Sequence, residues 1–183
     1  MNQSASDRPA DLLDTWEDSD EAVSLIANIT DADEFGVTPL HLAASCGRVA
    51  AIKHLVGLSA DLNAKDRYGE TPMHWAAECG HADAVWLLIY SGAEIDSRNS
   101  WGATPLHSAA SNGRVGSAKV LVDFGANLHV QNRWGDTPLF SATAHGHAEV
   151  CNLLREAGLH TRQIAAVQAV VQCGDTPLHS ALL

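Results

Sequence analysis

The sequence lacks most of what chemistry requires. It has no run of about 18 apolar residues, the shortest that spans a bilayer as a helix. Its first residues are polar and acidic, without the basic-then-apolar layout of a secretory signal. Its four cysteines (Cys46, Cys79, Cys151, Cys173) form no C-x-x-C pair. No serine nucleophile elbow, zinc-protease histidine pair or phosphate-cradling glycine loop occurs, so neither enzymatic activity nor a cofactor or metal is expected. A basic stripe is also missing. Residues 1–34 hold ten acids against Arg8, whereas residues 35–183 set twelve acids against ten bases. Phosphate-led binding of nucleic acid is therefore not expected. Free thiols and no secretory signal point to the cytosol or nucleus.

What the chain does have is repetition. Gly36-Val37-Thr38-Pro39-Leu40-His41-Leu42-Ala43-Ala44 returns as Gly69-Glu70-Thr71-Pro72-Met73-His74-Trp75-Ala76-Ala77 and as Gly102-Ala103-Thr104-Pro105-Leu106-His107-Ser108-Ala109-Ala110, each time 33 residues on. Gly135-Asp136-Thr137-Pro138-Leu139-Phe140-Ser141-Ala142 continues the series, and Gly174-Asp175-Thr176-Pro177-Leu178-His179-Ser180-Ala181 closes it after a longer gap. A fixed period of this size is the mark of a stacked repeat protein. Within each unit the threonine is placed to cap a helix, with proline at the first helical position where its missing N–H costs nothing. Gly47, Gly80, Gly113 and Gly146 are expected to end that helix in the left-handed conformation. A second helix follows, with its core face on Ile52 and Leu55, Val85 and Leu88, Ala118 and Leu121, Cys151 and Leu154, and should stop at Gly92, Gly125 and Gly158. Ser59 replaces this stop glycine in the first unit, at about 1–2 kcal/mol if the left-handed geometry is kept.

In these motifs the chain resembles the ankyrin repeat family, from Asp33 to Leu183. The resemblance implies an all-α repeat solenoid of stacked helix-turn-helix units joined by hairpin-like loops. The divisions read as an acidic segment and capping helix (1–32), four repeats (33–65, 66–98, 99–131 and 132–171) and a partial fifth (172–183). Within the first division, Val23 to Ile29 reads as the cap. Leu12-Leu13-Asp14-Thr15-Trp16 also reads as a short acidic-hydrophobic peptide suited to a partner's groove. The fourth repeat carries an apolar insertion, Thr161 to Gln172. The fifth stops inside its inner helix, so this end is expected to open first. Cys46 and Cys79 occupy one position of neighbouring repeats, about 8–10 Å apart for packed helices, which is too far for a disulfide.

The family resemblance also assigns roles. His41, His74, His107 and His179 are implied to hydrogen-bond backbone between adjacent loops, a link that Phe140 should break. His145 falls at an inner-helix end and His147 fills the family's usual Gly-His position, so the two do not read as metal ligands. Phe35, Tyr68, Trp101 and Trp134 precede successive turn glycines and should form an aromatic ladder along the loop tips. With Arg67, Glu70, Ser100, Arg133 and Asp136 beside them, and Trp75, Glu78 and Asn112 on the inner helices, they make up the expected partner-binding face. Trp86 is a weaker candidate on the outer helices. Asn63, Asp96 and His129 share the loop position that an asparaginyl hydroxylase can modify in this family. The expected function is a monomeric, non-catalytic adaptor or scaffold that grips another protein in a concave groove. The alternatives are the targeting domain of a longer enzyme, such as a kinase or ubiquitin ligase subunit, or a transcription-linked regulator.

Overall fold

The computed structural model describes residues 32–159. The expected N-terminal cap, the apolar insertion and the partial fifth repeat lie outside them. Seven helices alternate short-inner and outer: α1 (Pro39–Ser45), α2 (Val49–Gly57), α3 (Pro72–Cys79), α4 (Ala82–Tyr90), α5 (Pro105–Ser111), α6 (Val115–Asp123) and α7 (Pro138–Ala144). An eighth, α8, runs from 148 to the last described residue, 159. No strand occurs among the described residues, and no helix of theirs is long and apolar enough to cross a membrane.

Each inner helix begins as the Thr-Pro signature requires. Thr38, Thr71, Thr104 and Thr137 are extended N-caps, each followed by proline. The alanine pairs behind them (Ala43-Ala44, Ala76-Ala77, Ala109-Ala110) have no exposed surface, so successive inner helices can close on one another. Leucines 40, 55, 88, 106 and 121, Met73, Ile52 and Val85 fill the space between inner and outer rows and are almost fully buried. Burying a side chain of this size contributes about 1.5–3 kcal/mol, which is why two short helices that would not persist alone hold together here.

The turn from inner to outer helix depends on glycine for two separate reasons. Gly47, Gly80, Gly113 and Gly146 all have positive φ (66°, 90°, 65° and 77°). A Cβ on Gly47 would also lie 2.5 Å from the His81 ring, and one on Gly113 2.6 Å from that of His147. Those rings need the space, because His81 Nε2 donates to the Ser45 carbonyl (2.9 Å) and His147 Nε2 to that of Ser111 (2.9 Å). Arg114 does the same work over Gly80, donating from Nε to the Glu78 carbonyl at 2.8 Å.

The outer helices end as expected in three repeats and otherwise in the fourth. Gly92 and Gly125 are left-handed (φ 98° and 85°), and Ser59 adopts the same geometry at φ 61°. In each case the next residue is an alanine whose N–H returns to a leucine carbonyl: Ala60 to Leu55, Ala93 to Leu88 and Ala126 to Leu121. Gly158 does not stop its helix, because α8 continues through it to residue 159. It is followed by Leu159 instead of alanine, and the close tuck that the small residue permits is not formed.

One polar group in the core stands out. Ser117 is fully buried and its hydroxyl has no partner among the described residues. The same position in the other repeats holds Ala51, Ala84 and Val150, all buried. Ser117→Ala is therefore expected to stabilise the protein by about 1 kcal/mol, the low end of what a buried unsatisfied hydroxyl costs. Ser59→Gly should add a similar amount, about 1 kcal/mol, by removing left-handed strain. Urea midpoints of the single and double variants check both, and the two gains should add because the sites are in different repeats. A lower midpoint for either variant would refute the corresponding assignment.

Candidate functional site

Two periodic networks hold the loops in register, and the candidate site is mounted on the second. The first runs through the motif histidines. The N–H of Thr38 donates to His41 Nδ1 at 3.1 Å, and those of Thr71 and Thr104 donate to His74 and His107 at 3.1 Å each. A backbone N–H can only donate, so Nδ1 must be the acceptor and the ring proton sits on Nε2. That proton reaches the next loop: His41 to the Glu70 carbonyl (3.0 Å), His74 to Ala103 (3.1 Å) and His107 to Asp136 (3.0 Å). In the fourth repeat Phe140 takes this place and is 57% exposed, where its histidine equivalents are 0–3%.

The second network builds the loop tips. Asp33, Asp66, Asn99 and Asn132 recur at the same spacing, and each folds its own side chain into the turn. Oδ1 of Asp66 accepts from the N–H groups of Tyr68 and Glu70, both at 2.8 Å, and that of Asn99 from Trp101 and Ala103, both at 3.0 Å. Asp33 and Asn132 do the same for Phe35 and Val37, and for Trp134 and Asp136. Neighbouring tips are then joined by backbone: Arg67 N–H to the Phe35 carbonyl (2.7 Å), Ser100 to Tyr68 (2.8 Å) and Arg133 to Trp101 (2.8 Å). Gly69 sits so near that a Cβ there would be 2.9 Å from the Ser100 nitrogen.

The aromatic column follows from this register. Tyr68 and Trp101 stack at 5.6 Å with 21° between planes, and the Arg67 guanidinium lies over both Phe35 (4.5 Å) and Tyr68 (4.6 Å). The residue before each ring decides the arrangement. Ser100 is small and lets two rings meet, whereas Arg67 inserts between two others. Phe35 and Trp101 keep 41% and 37% of their surface exposed, and Tyr68 is half-buried. Trp134 is the most open at 68% and touches no other ring among the described residues.

The other expected contact residues separate into two groups. Ser100, Arg133 and Asn112 are exposed, and Glu70, Glu78 and Asp136 are half-buried. Trp75 does not belong to an open face. It is 4% exposed and packs edge-on against the His41 ring at 5.3 Å, so it serves the core. Asn112 Nδ2 is turned to the Ser108 carbonyl of its own helix at 2.9 Å. Asn63 and Asp96 brace loops: Asn63 Oδ1 accepts from Glu94 N–H (2.9 Å) and Asp96 Oδ1 from Asn127 N–H (3.1 Å), while His129 is exposed. On the outer helices the sequence points to Trp86, which is 43% exposed, but its companion Tyr90 emerges only in the structure, stacked on it at 5.1 Å and 74% exposed. Their spacing of four residues on one helix was the available signal.

No group of three potential metal ligands forms among the described residues. The His145 and His147 rings stack 6.3 Å apart, and each nitrogen that bonds faces a carbonyl, of Ser141 and Ser111 respectively. Cys46, Cys79 and Cys151 form no disulfide among the described residues.

Alternating short helices, Thr-Pro caps and stapled loop tips define a helical repeat solenoid. A family model described as ankyrin repeats matches residues 15–99 and 91–165. The chain belongs to the ankyrin repeat family, whose repeats are in general modules for protein–protein interaction. A comparison with curated proteins found none that matches.

The histidine network makes stability depend on pH. Burial pulls His74 from 6.5 down to about 4, against the opposing bond to the Ala103 carbonyl. Burial also lowers His107, again against its bond to a carbonyl, that of Asp136. The unfolded chain therefore takes up these protons below pH 6.5 while the folded chain refuses them, so stability is complete above 6.5 and falls as pH drops towards 4. For His74 the loss should approach about 3 kcal/mol, since each tenfold drop in proton affinity corresponds to about 1.4 kcal/mol. Urea titrations at pH 7 and 4.5 measure it. His74→Gln should be less stable at pH 7 yet show a shallower fall, which separates this residue from the carboxylates; an equally steep fall would refute the assignment.

Proposed function

We propose that this protein is a non-catalytic adaptor or scaffold that grips a partner protein along its loop tips and inner-helix surface. One observation carries the reading: Phe35, Arg67, Tyr68 and Trp101 form a continuous, half-open strip whose backbone is bonded from loop to loop. Trp, Tyr and Arg dominate interface energetics because they bury much area at little conformational cost. A strip already stacked in the free protein has less ordering entropy to lose on binding. Arg133, Trp134 and Asp136 extend it along the stack, and Glu70, Glu78 and Asn112 border it on the inner side. Cysteines that form no disulfide among the described residues fit a reducing compartment, cytosol or nucleus.

Binding and folding should separate by mutation. Tyr68→Ala with Trp101→Ala is expected to weaken partner binding by about 2–4 kcal/mol, the usual loss at an interface hot spot. The melting curve should barely move, because the tips are held by backbone bonds. Leu88→Ala or Leu121→Ala should instead cost about 2–5 kcal/mol of stability through the cavity left behind. Quantitative capture of partners by wild type and variants, beside thermal melts, tests both. If the aromatic variant stays folded and keeps every partner, the face is misassigned, and a Trp86→Ala, Tyr90→Ala variant becomes the comparison to make.

A further inference from the structure

The cations of the loop tips are not equivalent. Lys65 donates to the Arg98 carbonyl at 3.2 Å, and Arg98 spends its fork on the carbonyls of Gly102 and Gln131. Those two are braces. Arg67 differs: its guanidinium lies over both the Phe35 ring (4.5 Å) and the Tyr68 ring (4.6 Å), yet its side chain makes no hydrogen bond or ion pair among the described residues. Its N–H edge is held in place, exposed and unspent. Such a planar fork fits a carboxylate bidentately. Half-buried Glu70 close by and the tips' mixed charge favour a single negative charge over a phosphate dianion. Next to the fork, the Tyr68–Trp101 stack offers an apolar shelf.

We propose that this fork and shelf bind the chain's own segment Asp11–Asp18, so that the loop-tip face is covered by its own N-terminus until a partner displaces it. The proposal rests on the reading that the loop tips are the binding face. Composition, spacing and reach select this occupant. The segment, Asp11-Leu12-Leu13-Asp14-Thr15-Trp16-Glu17-Asp18, combines four carboxylates with Leu12, Leu13 and Trp16 and has no base. Its spacing matches: in an extended chain Asp14 and Trp16 fall on one side about 7 Å apart. The carboxylate can then meet Arg67 while the indole lies on the Tyr68–Trp101 shelf, whose nearer ring is 4.6 Å from the guanidinium. The tether also reaches. The residues between Trp16 and Phe35 are long enough to span up to about 60 Å, whereas Phe35 and Trp101 are two repeat steps apart, about 20 Å. Such a tether keeps the segment at a millimolar effective concentration, so modest intrinsic affinity suffices.

The test uses the full chain with the photo-crosslinker p-benzoylphenylalanine at position 16. Irradiation should give adducts within the monomer, mapped by mass spectrometry to residues 66–70 and 99–103. Arg67→Asp should cut their yield about tenfold, the loss expected when one hot-spot contact is removed, and Asp14→Arg should do the same. Combining the two reversals should restore the yield, which a merely structural role for Arg67 would not produce. Thermal melts confirm that each variant folds. Adducts elsewhere, no adducts, adducts only within cross-linked dimers, or indifference to both reversals would each overturn the proposal. If that happens while Tyr68→Ala with Trp101→Ala still abolishes partner capture, only the self-docking falls. If the adducts form but partner capture survives the aromatic variant, the binding-face reading is the one that fails.

Discussion

Everything in this stack depends on a relay of three groups: a threonine N–H, a histidine ring and the carbonyl of the next loop. Without it, Thr38, Thr71 and Thr104 would each leave an N-terminal donor of the inner helix unpaired, and the carbonyl in the neighbouring tip would keep only its own turn N–H as a donor. The ring bonds to both, at about 3 Å on each side, and does so only while neutral. A second proton on Nδ1 would face the threonine N–H directly. The desolvation that depresses His74 and His107 is therefore the same burial that lets the relay form, and repeats are coupled through a group whose charge state is fixed by the coupling.

Much of this architecture could be read from the residues. Thr-Pro pairs, alanine pairs and turn glycines each answer one local requirement, and five copies in register leave few alternatives. The strained Ser59 was legible for the same reason, since a left-handed stop is demanded by its position and not by its side chain. Legibility ended where side-chain size, not position, decides the outcome. Trp75 occupies a place held elsewhere by Leu42, Ser108 and Ser141, all half-buried, and position alone puts it on the inner-helix surface. An indole is long enough to fold over the His41 ring instead. Gly158 misled in the opposite way. Glycine permits a left-handed turn without enforcing one, and the enforcing partner is the small alanine that follows in the other three repeats.

The candidate site was half legible. The aromatic spacing showed which residues share a column, but periodicity says nothing about whether neighbouring rings touch. That depends on the residue before each ring, and Arg67 and Ser100 give opposite results: one separates two rings, the other lets them stack. The Asp33, Asp66, Asn99, Asn132 column was equally visible but carried no signal of its role, because a turn carboxylate or amide looks like an ordinary polar surface residue. Its Oδ1 accepts two backbone N–H groups and so sets the direction of the ring two residues on. A column that reads as merely polar is here a fold determinant.

This division of labour explains how one module can keep its fold while changing what it binds. The loop tips are fixed by backbone bonds and by turn side chains folded inward, neither of which involves the ring or its neighbouring cation. Side chains at positions 67, 68, 100 and 101 stand on that frame with little structural duty beyond contact with each other. An aromatic pair contributes about 0.5–1.5 kcal/mol beyond its burial, small beside what the leucines between the helix rows supply. The specificity-bearing residues are thus those whose replacement the stack can best tolerate. Positions that look equally periodic in the sequence divide into two kinds: those that bond between repeats, and those the bonds merely hold in place.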